Sequence, residues 1–82
     1  MFEVEIYISL KKTVADPQGL TVKHAIESLG YQGINDLRMG KLVRLQLNLK
    51  DKKYAENKVN EMCKKLLVNP IIEEYSFQIK EI

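Results

Sequence analysis

The chain has a single cysteine, Cys63, and a single histidine, His24. One cysteine excludes an internal disulfide framework, and one histidine beside it cannot supply the clustered ligands of a structural zinc site. Long hydrophobic runs are missing too, since no window holds an uninterrupted apolar stretch of signal-peptide or membrane length. We therefore expect a cytoplasmic protein with no membrane partner, a setting that also suits a free thiol. Nor does charge of one sign dominate: 13 basic residues stand against 11 acidic ones, with Lys11-Lys12 toward one end and Glu73-Glu74 toward the other. A one-sided basic patch with interleaved aromatics is the footprint of a nucleic-acid binder, and none emerges. No linker, low-complexity segment or strong internal repeat divides the chain, so residues 1–82 read as one domain.

What is there is ordinary for a globular protein: 45% of the residues are hydrophobic and 29% charged, which argues against disorder. At 82 residues the core is small. Such scaffolds often draw only about 3 to 5 kcal/mol from their core and borrow the rest from disulfides, metals or oligomerisation. With the first two excluded, self-association is the favoured supplement.

Alternation comes first along the chain. Phe2, Val4, Ile6, Ile8 and Leu10 interleave with Glu3, Glu5, Tyr7 and Ser9, the period of a strand with one buried face. In "ADPQGLTVKHAIESLGY", Asp16 can cap a helix and Pro17 suits its first turn, where a missing amide costs nothing. Val22, Ala25, Ile26 and Leu29 then form one apolar stripe, and Gly30 fits the left-handed position past the end. This predicts a helix from about Pro17 to Leu29, with a later start capped by Thr21 as the alternative because Gly19 weakens the first turn. Leu37, Met39, Val43, Leu45, Leu47 and Leu49 share one parity. They predict a long middle strand from about Leu37 to Lys50, kinked near Gly40, with a tight hairpin there as the alternative. Asp51 caps a second helix with the stripe Ala55, Val59, Met62, Cys63 and Leu66, ended by Asn69-Pro70. A last strand covers "IEEYSFQIKEI", with Tyr75, Phe77 and Ile79 on one face. The order is β-α-β-α-β, and we expect an α+β fold with a three-stranded sheet packed on two helices.

Candidate chemistry is sparse. In "DLRMGKLVRLQL" the cluster Arg38-Met39-Gly40-Lys41 suggests phosphate binding, but a phosphate cradle needs several amides converging on a helix N-terminus, and Lys41 is followed by a strand. A strand bend with Arg38 and Lys41 at an exposed or interfacial edge is the better reading. His24 has no sequence-near acid or nucleophile. Cys63 lies on the apolar stripe of the second helix, where a small buried hydrophobe is the ordinary explanation. Glu73 and Glu74 are adjacent on a strand and point to opposite faces, so they cannot easily share a substrate atom. No catalytic, cofactor-binding or metal residue is assigned. A free-standing small α+β ligand-sensing domain is a competing reading, and a lone enzyme would have to rely on His24 as its base.

Three stretches carry a resemblance together: "DPQG" at Asp16 to Gly19, "LRMGK" at Leu37 to Lys41, and "LLVNPIIEEY" at Leu66 to Tyr75. In this order and spacing the whole chain resembles the PurS family, the small subunit of phosphoribosylformylglycinamidine synthase. The resemblance implies a non-catalytic subunit in purine biosynthesis that bridges a glutaminase and an ATP-dependent synthetase and supports ammonia transfer. It implies that this chain binds no cofactor, and that ATP, Mg and glutamine are used by the partner subunits. It also implies a homodimer or dimer of dimers in which chain segments are exchanged. Candidate interface residues are Arg38, Met39, Gly40, Lys41, Asn69 and Pro70.

Overall fold

A computed structural model describes residues 1–82. The elements run β1 (Phe2–Leu10), α1 (Pro17–Ser28), β2 (Gly40–Leu47), α2 (Lys52–Met62), a π-helical turn (Cys63–Leu67) and β3 (Glu73–Glu81). Both helices start as the sequence predicts. Asp16 accepts a bond from the Gly19 amide at 3.0 Å, with Pro17 in the first turn, and Asp51 accepts one from the Lys53 amide at 3.0 Å. Gly30, just past the end of α1, has φ 97°.

The sheet is antiparallel throughout, in the order β2-β1-β3. Its register places Ile6 beside Val43 on one side and Phe77 on the other, so the apolar parities of all three strands fall on one face. Phe2, Val4, Ile6 and Ile8 on the central strand are buried there. Ala55 and Val59 of α2 and Cys63 at the start of the π turn, all with 0% exposure, close over the same face. The Tyr75 hydroxyl donates to Asn60 Oδ1 at 2.8 Å and ties α2 to β3.

Two boundaries differ from expectation. The middle strand begins at Gly40 and ends at Leu47, shorter than the expected Leu37 to Lys50, and its ladder with β1 runs from Phe2↔Leu47 to Ser9↔Gly40 without a bulge. The reason lies upstream: Arg38 and the Met39 amide bond to the 11–16 segment instead of a strand, so the bend falls at the start of β2 and not inside it. The second helix changes character before Asn69-Pro70. At the π turn the Val68 amide donates to the Cys63 carbonyl at 2.9 Å, a five-residue step in place of four. That wider turn rotates Leu66 out of the apolar stripe, leaving it exposed, and brings Val68 into the core instead.

The helices serve the sheet unequally. Only Gly19 of α1 is buried, and the predicted stripe is half-buried at Val22 and Ile26 and exposed at Ala25 and Leu29. The radius of gyration is 16.2 Å, against roughly 12 Å for a compact chain of this length. With extents of 49 × 28 × 15 Å, the molecule is a covered sheet with an extended arm.

Candidate functional site

The residues that sequence motifs single out meet at one end of the sheet, where the 11–16 segment, the 36–41 segment and the turn before β3 converge. Asp16 does more than cap α1. Besides the Gly19 amide, its carboxylate accepts the Met39 amide at 2.8 Å, so one side chain fastens the start of α1 to the approach to β2. Those two amides, the Gly19 one foremost, hold the Asp16 carboxyl below the usual range, with the Arg38 charge assisting. The Arg38 guanidinium donates to the carbonyls of Val14 at 2.7 Å and Lys11 at 3.1 Å. Gly40 sits where an added Cβ would lie 2.9 Å from the Ile8 carbonyl oxygen, and it has no positive φ. Its role is close approach of two backbones.

Lys41 reaches across to Glu73, Nζ to Oε2 at 3.1 Å. The other oxygen of Glu73 accepts the Asn69 amide at 2.8 Å, and Asn69 Oδ1 accepts the Ile71 amide at 3.1 Å. The Asn69 amide first, and Lys41 second, lower the Glu73 pKa. Between these groups lies an open depression of about 180 Å³ lined by Asp16, Met39, Gly40, Lys41 and Glu73 together with the end of β1. Its two carboxylates are already committed to protein partners, and so are Arg38 and Lys41. The arrangement is chemically a clamp that joins three segments, with its polar groups turned on one another.

Sequence reasoning missed two parts of this clamp. The bond from Asp16 to Met39 spans 23 residues and leaves no local signal beyond the capping pattern. Glu73 reads in the sequence only as one of two adjacent carboxylates facing opposite ways, whereas it is the residue that fixes both Lys41 and the Asn69 turn. The structure brings Arg38, Met39, Gly40 and Lys41 together with the Asn69-Pro70 turn through Glu73. His24 stands apart, exposed on α1. Cys63 is fully buried, and burial pushes its thiol pKa up, away from the reactive thiolate. No group of three or more His, Cys, Asp or Glu side chains converges anywhere, and no helix is long and apolar enough to cross a membrane.

Fold and site together define a small α+β chain whose polar residues fasten segments of backbone and whose first helix stands off its own sheet. Comparison with known proteins makes this specific. The family model PurS, described as phosphoribosylformylglycinamidine (FGAM) synthase, matches residues 3–81. Across the whole chain and 96% of the relative, the sequence is 42% identical to the phosphoribosylformylglycinamidine synthase subunit PurS of Bacillus subtilis. The crystal structure of Methanocaldococcus jannaschii PurS superposes with a TM-score of 0.91 at 32% identity, covering 100% of this chain and 99% of that one. A chain of the PurLQS structure from Thermotoga maritima gives a TM-score of 0.89 at 30% identity, with 96% of each chain covered. The chain belongs to the PurS family, the small subunits of a ligase of purine biosynthesis.

Proposed function

We propose that this chain works in the cytoplasm as a non-catalytic bridge in phosphoribosylformylglycinamidine synthase. It joins the glutaminase subunit to the ATP-dependent synthetase subunit and supports passage of ammonia between them. The synthase turns a formylglycinamide ribonucleotide into its amidine. In this reading ATP, Mg and glutamine act on the partner subunits, and this chain contributes surface and alignment. It does so as a homodimer, or a dimer of dimers, with the α1 arm exchanged between protomers.

The observation that carries the reading is the uncovered arm. Leu20, Leu29 and Tyr31 are exposed on or beside α1 while α2 alone closes the sheet, an arrangement that leaves apolar surface for another chain to cover. The PurLQS structure of Thermotoga maritima gives a precedent for a relative within a larger complex. The cluster Arg38, Met39, Gly40 and Lys41 serves this surface by fixing the angle of the arm, and Asn69 and Pro70 face outward beside it.

The test is reconstitution. The purified chain should sediment as a dimer or larger, show no turnover with ATP, glutamine and the formylglycinamide substrate when alone, and restore glutamine-dependent activity to a mixture of synthetase and glutaminase. A monomer at micromolar concentration, or full glutamine-dependent activity without this chain, overturns the proposal.

A further inference from the structure

The two most exposed large apolar side chains of the molecule lie five residues apart: Leu66 at 83% and Ile71 at 80%. Single exposed apolar residues are common on protein surfaces. Here the loop that displays them, with Pro70 also exposed, is tightly built. The Val68 amide bonds to the Cys63 carbonyl at 2.9 Å, and the Asn69 carbonyl accepts the amides of Ile72 at 3.2 Å and Glu73 at 2.7 Å. Asn69 and Glu73 side chains fix the Ile71 and Asn69 amides, and the Lys11 amide bonds to the Ile72 carbonyl at 2.8 Å. The π turn is what rotates Leu66 outward, against the apolar stripe that would bury it. An ordered loop that holds apolar side chains in water loses little conformational entropy when it docks.

The carboxylates nearest to it, Glu61 and Glu73, are already paired with Lys58 and Lys41, and the unpaired charges beside Leu66 are positive. Lys64 and Lys65, immediately before Leu66, are exposed and belong to none of the three ion pairs of the molecule. A twofold contact of this loop with a second copy would set Lys64 and Lys65 against their own counterparts, since an isologous interface brings the same patch together. Carboxylates on a different chain would complement them.

We propose that Leu66, Pro70 and Ile71 dock into an apolar pocket rimmed by carboxylates on a partner subunit of the synthase. This inference rests on the subunit reading above and names the surface that reading leaves open. The α1 arm then serves self-association, and the 64–71 loop serves the heteromeric contact.

Two double variants test it, Leu66→Ser with Ile71→Ser, and Lys64→Glu with Lys65→Glu. All four positions are exposed, so melting temperature and sedimentation of the isolated chain should match wild type. Affinity for the synthetase and glutaminase subunits of the same genome is then measured over a salt series. The serine variant should bind at least about tenfold more weakly, chiefly through faster dissociation. The glutamate variant should associate more slowly, with the deficit narrowing as salt rises. Wild-type affinity in both variants overturns the docking loop alone. Loss of the chain's own oligomer in either variant also overturns it, by giving the loop to a second copy. Failure of wild type to bind either subunit overturns the subunit reading and the loop with it.

Discussion

The two helices are nearly equal in length, 12 residues in α1 and 11 in α2, and their fates are opposite to what their composition suggests. Between Pro17 and Ser28 only Lys23 and Glu27 are charged, whereas α2 carries Lys52, Lys53, Glu56, Lys58 and Glu61. Yet α2 buries Ala55 and Val59 completely, and α1 buries no apolar side chain. A helix is placed by the face it can cover, and the sheet offers one apolar face of limited width. Once α2 covers the centre of that face, the half-buried flanks at Val43, Leu45, Phe77 and Ile79 leave no seat wide enough for a second helix. The less charged helix is left outside its own fold, which is the physical basis of the proposal that a partner protomer takes it.

The sharpest way to break this comparison is to put the same charge on each helix. Val59→Asp buries a carboxylate against Val4 and Ile6 and should cost about 4 kcal/mol or more, enough to unfold a domain of this size. Ile26→Asp should leave the secondary structure intact and shift sedimentation toward monomer, because Ile26 is only half-buried within one chain. Circular dichroism and sedimentation velocity on the pair separate the outcomes. Equal unfolding by both variants would mean that α1 is held within the protomer as firmly as α2.

A smaller effect sharpens the comparison at the joint where α1 meets the sheet. A Cβ at Gly19 would lie 2.6 Å from Asp16 Oδ2 and 2.7 Å from the Leu37 carbonyl oxygen, and one at Gly40 would lie 2.9 Å from the Ile8 carbonyl oxygen. Gly19→Ala and Gly40→Ala should each cost about 1 to 3 kcal/mol by forcing backbone apart. Lys41→Ala, which removes an ion pair exposed on its lysine side and leaves Glu73 bonded to the Asn69 amide, should cost less than about 1 kcal/mol. Thermal melts in that order of loss would confirm that the joint is held by close backbone packing. A larger loss in Lys41→Ala would put the weight on charge.

Much of this was legible before any coordinates. The three strands follow from alternation, because a half-buried strand writes its burial directly into every second residue. Asp16 and Asp51 announced both helix starts through capping chemistry, which is local. What escaped was long-range or depended on a change of helical pitch. Nothing in "CKKLLVNP" says that the turn at Cys63 takes five residues, so Leu66 reads as core until the widened turn removes it. The stripe of α1 is readable in the sequence though less sharply segregated than that of α2, and a periodic pattern reports that a face will be buried without saying by which chain. Gly40 reads in the sequence as a kink inside a longer strand, whereas it opens β2 and acts by proximity to Ile8, with no left-handed conformation.

The smallest expected effect concerns acid. Asp16 and Glu73, the carboxylates that fasten the arm and the docking turn, both have folded pKa values below their ordinary ones. In the unfolded chain they protonate first as pH falls, so over that range the unfolded state binds more protons and stability rises with pH. Their contribution is complete above the ordinary carboxylate range, near pH 4, and is lost as pH drops through it toward the lower folded values. Urea melts between pH 3 and pH 6, about the span that brackets that range, should therefore show an acid limb. Asp16→Asn with Glu73→Gln should flatten it, most visibly in hydrogen exchange at the Met39 and Asn69 amides that these carboxylates accept. Lys41→Ala should flatten it less than Glu73→Gln, since the Asn69 amide outranks Lys41 in lowering the Glu73 pKa. An acid limb of unchanged steepness in the double variant would assign the pH dependence to other carboxylates and leave the clamp with a purely geometric role.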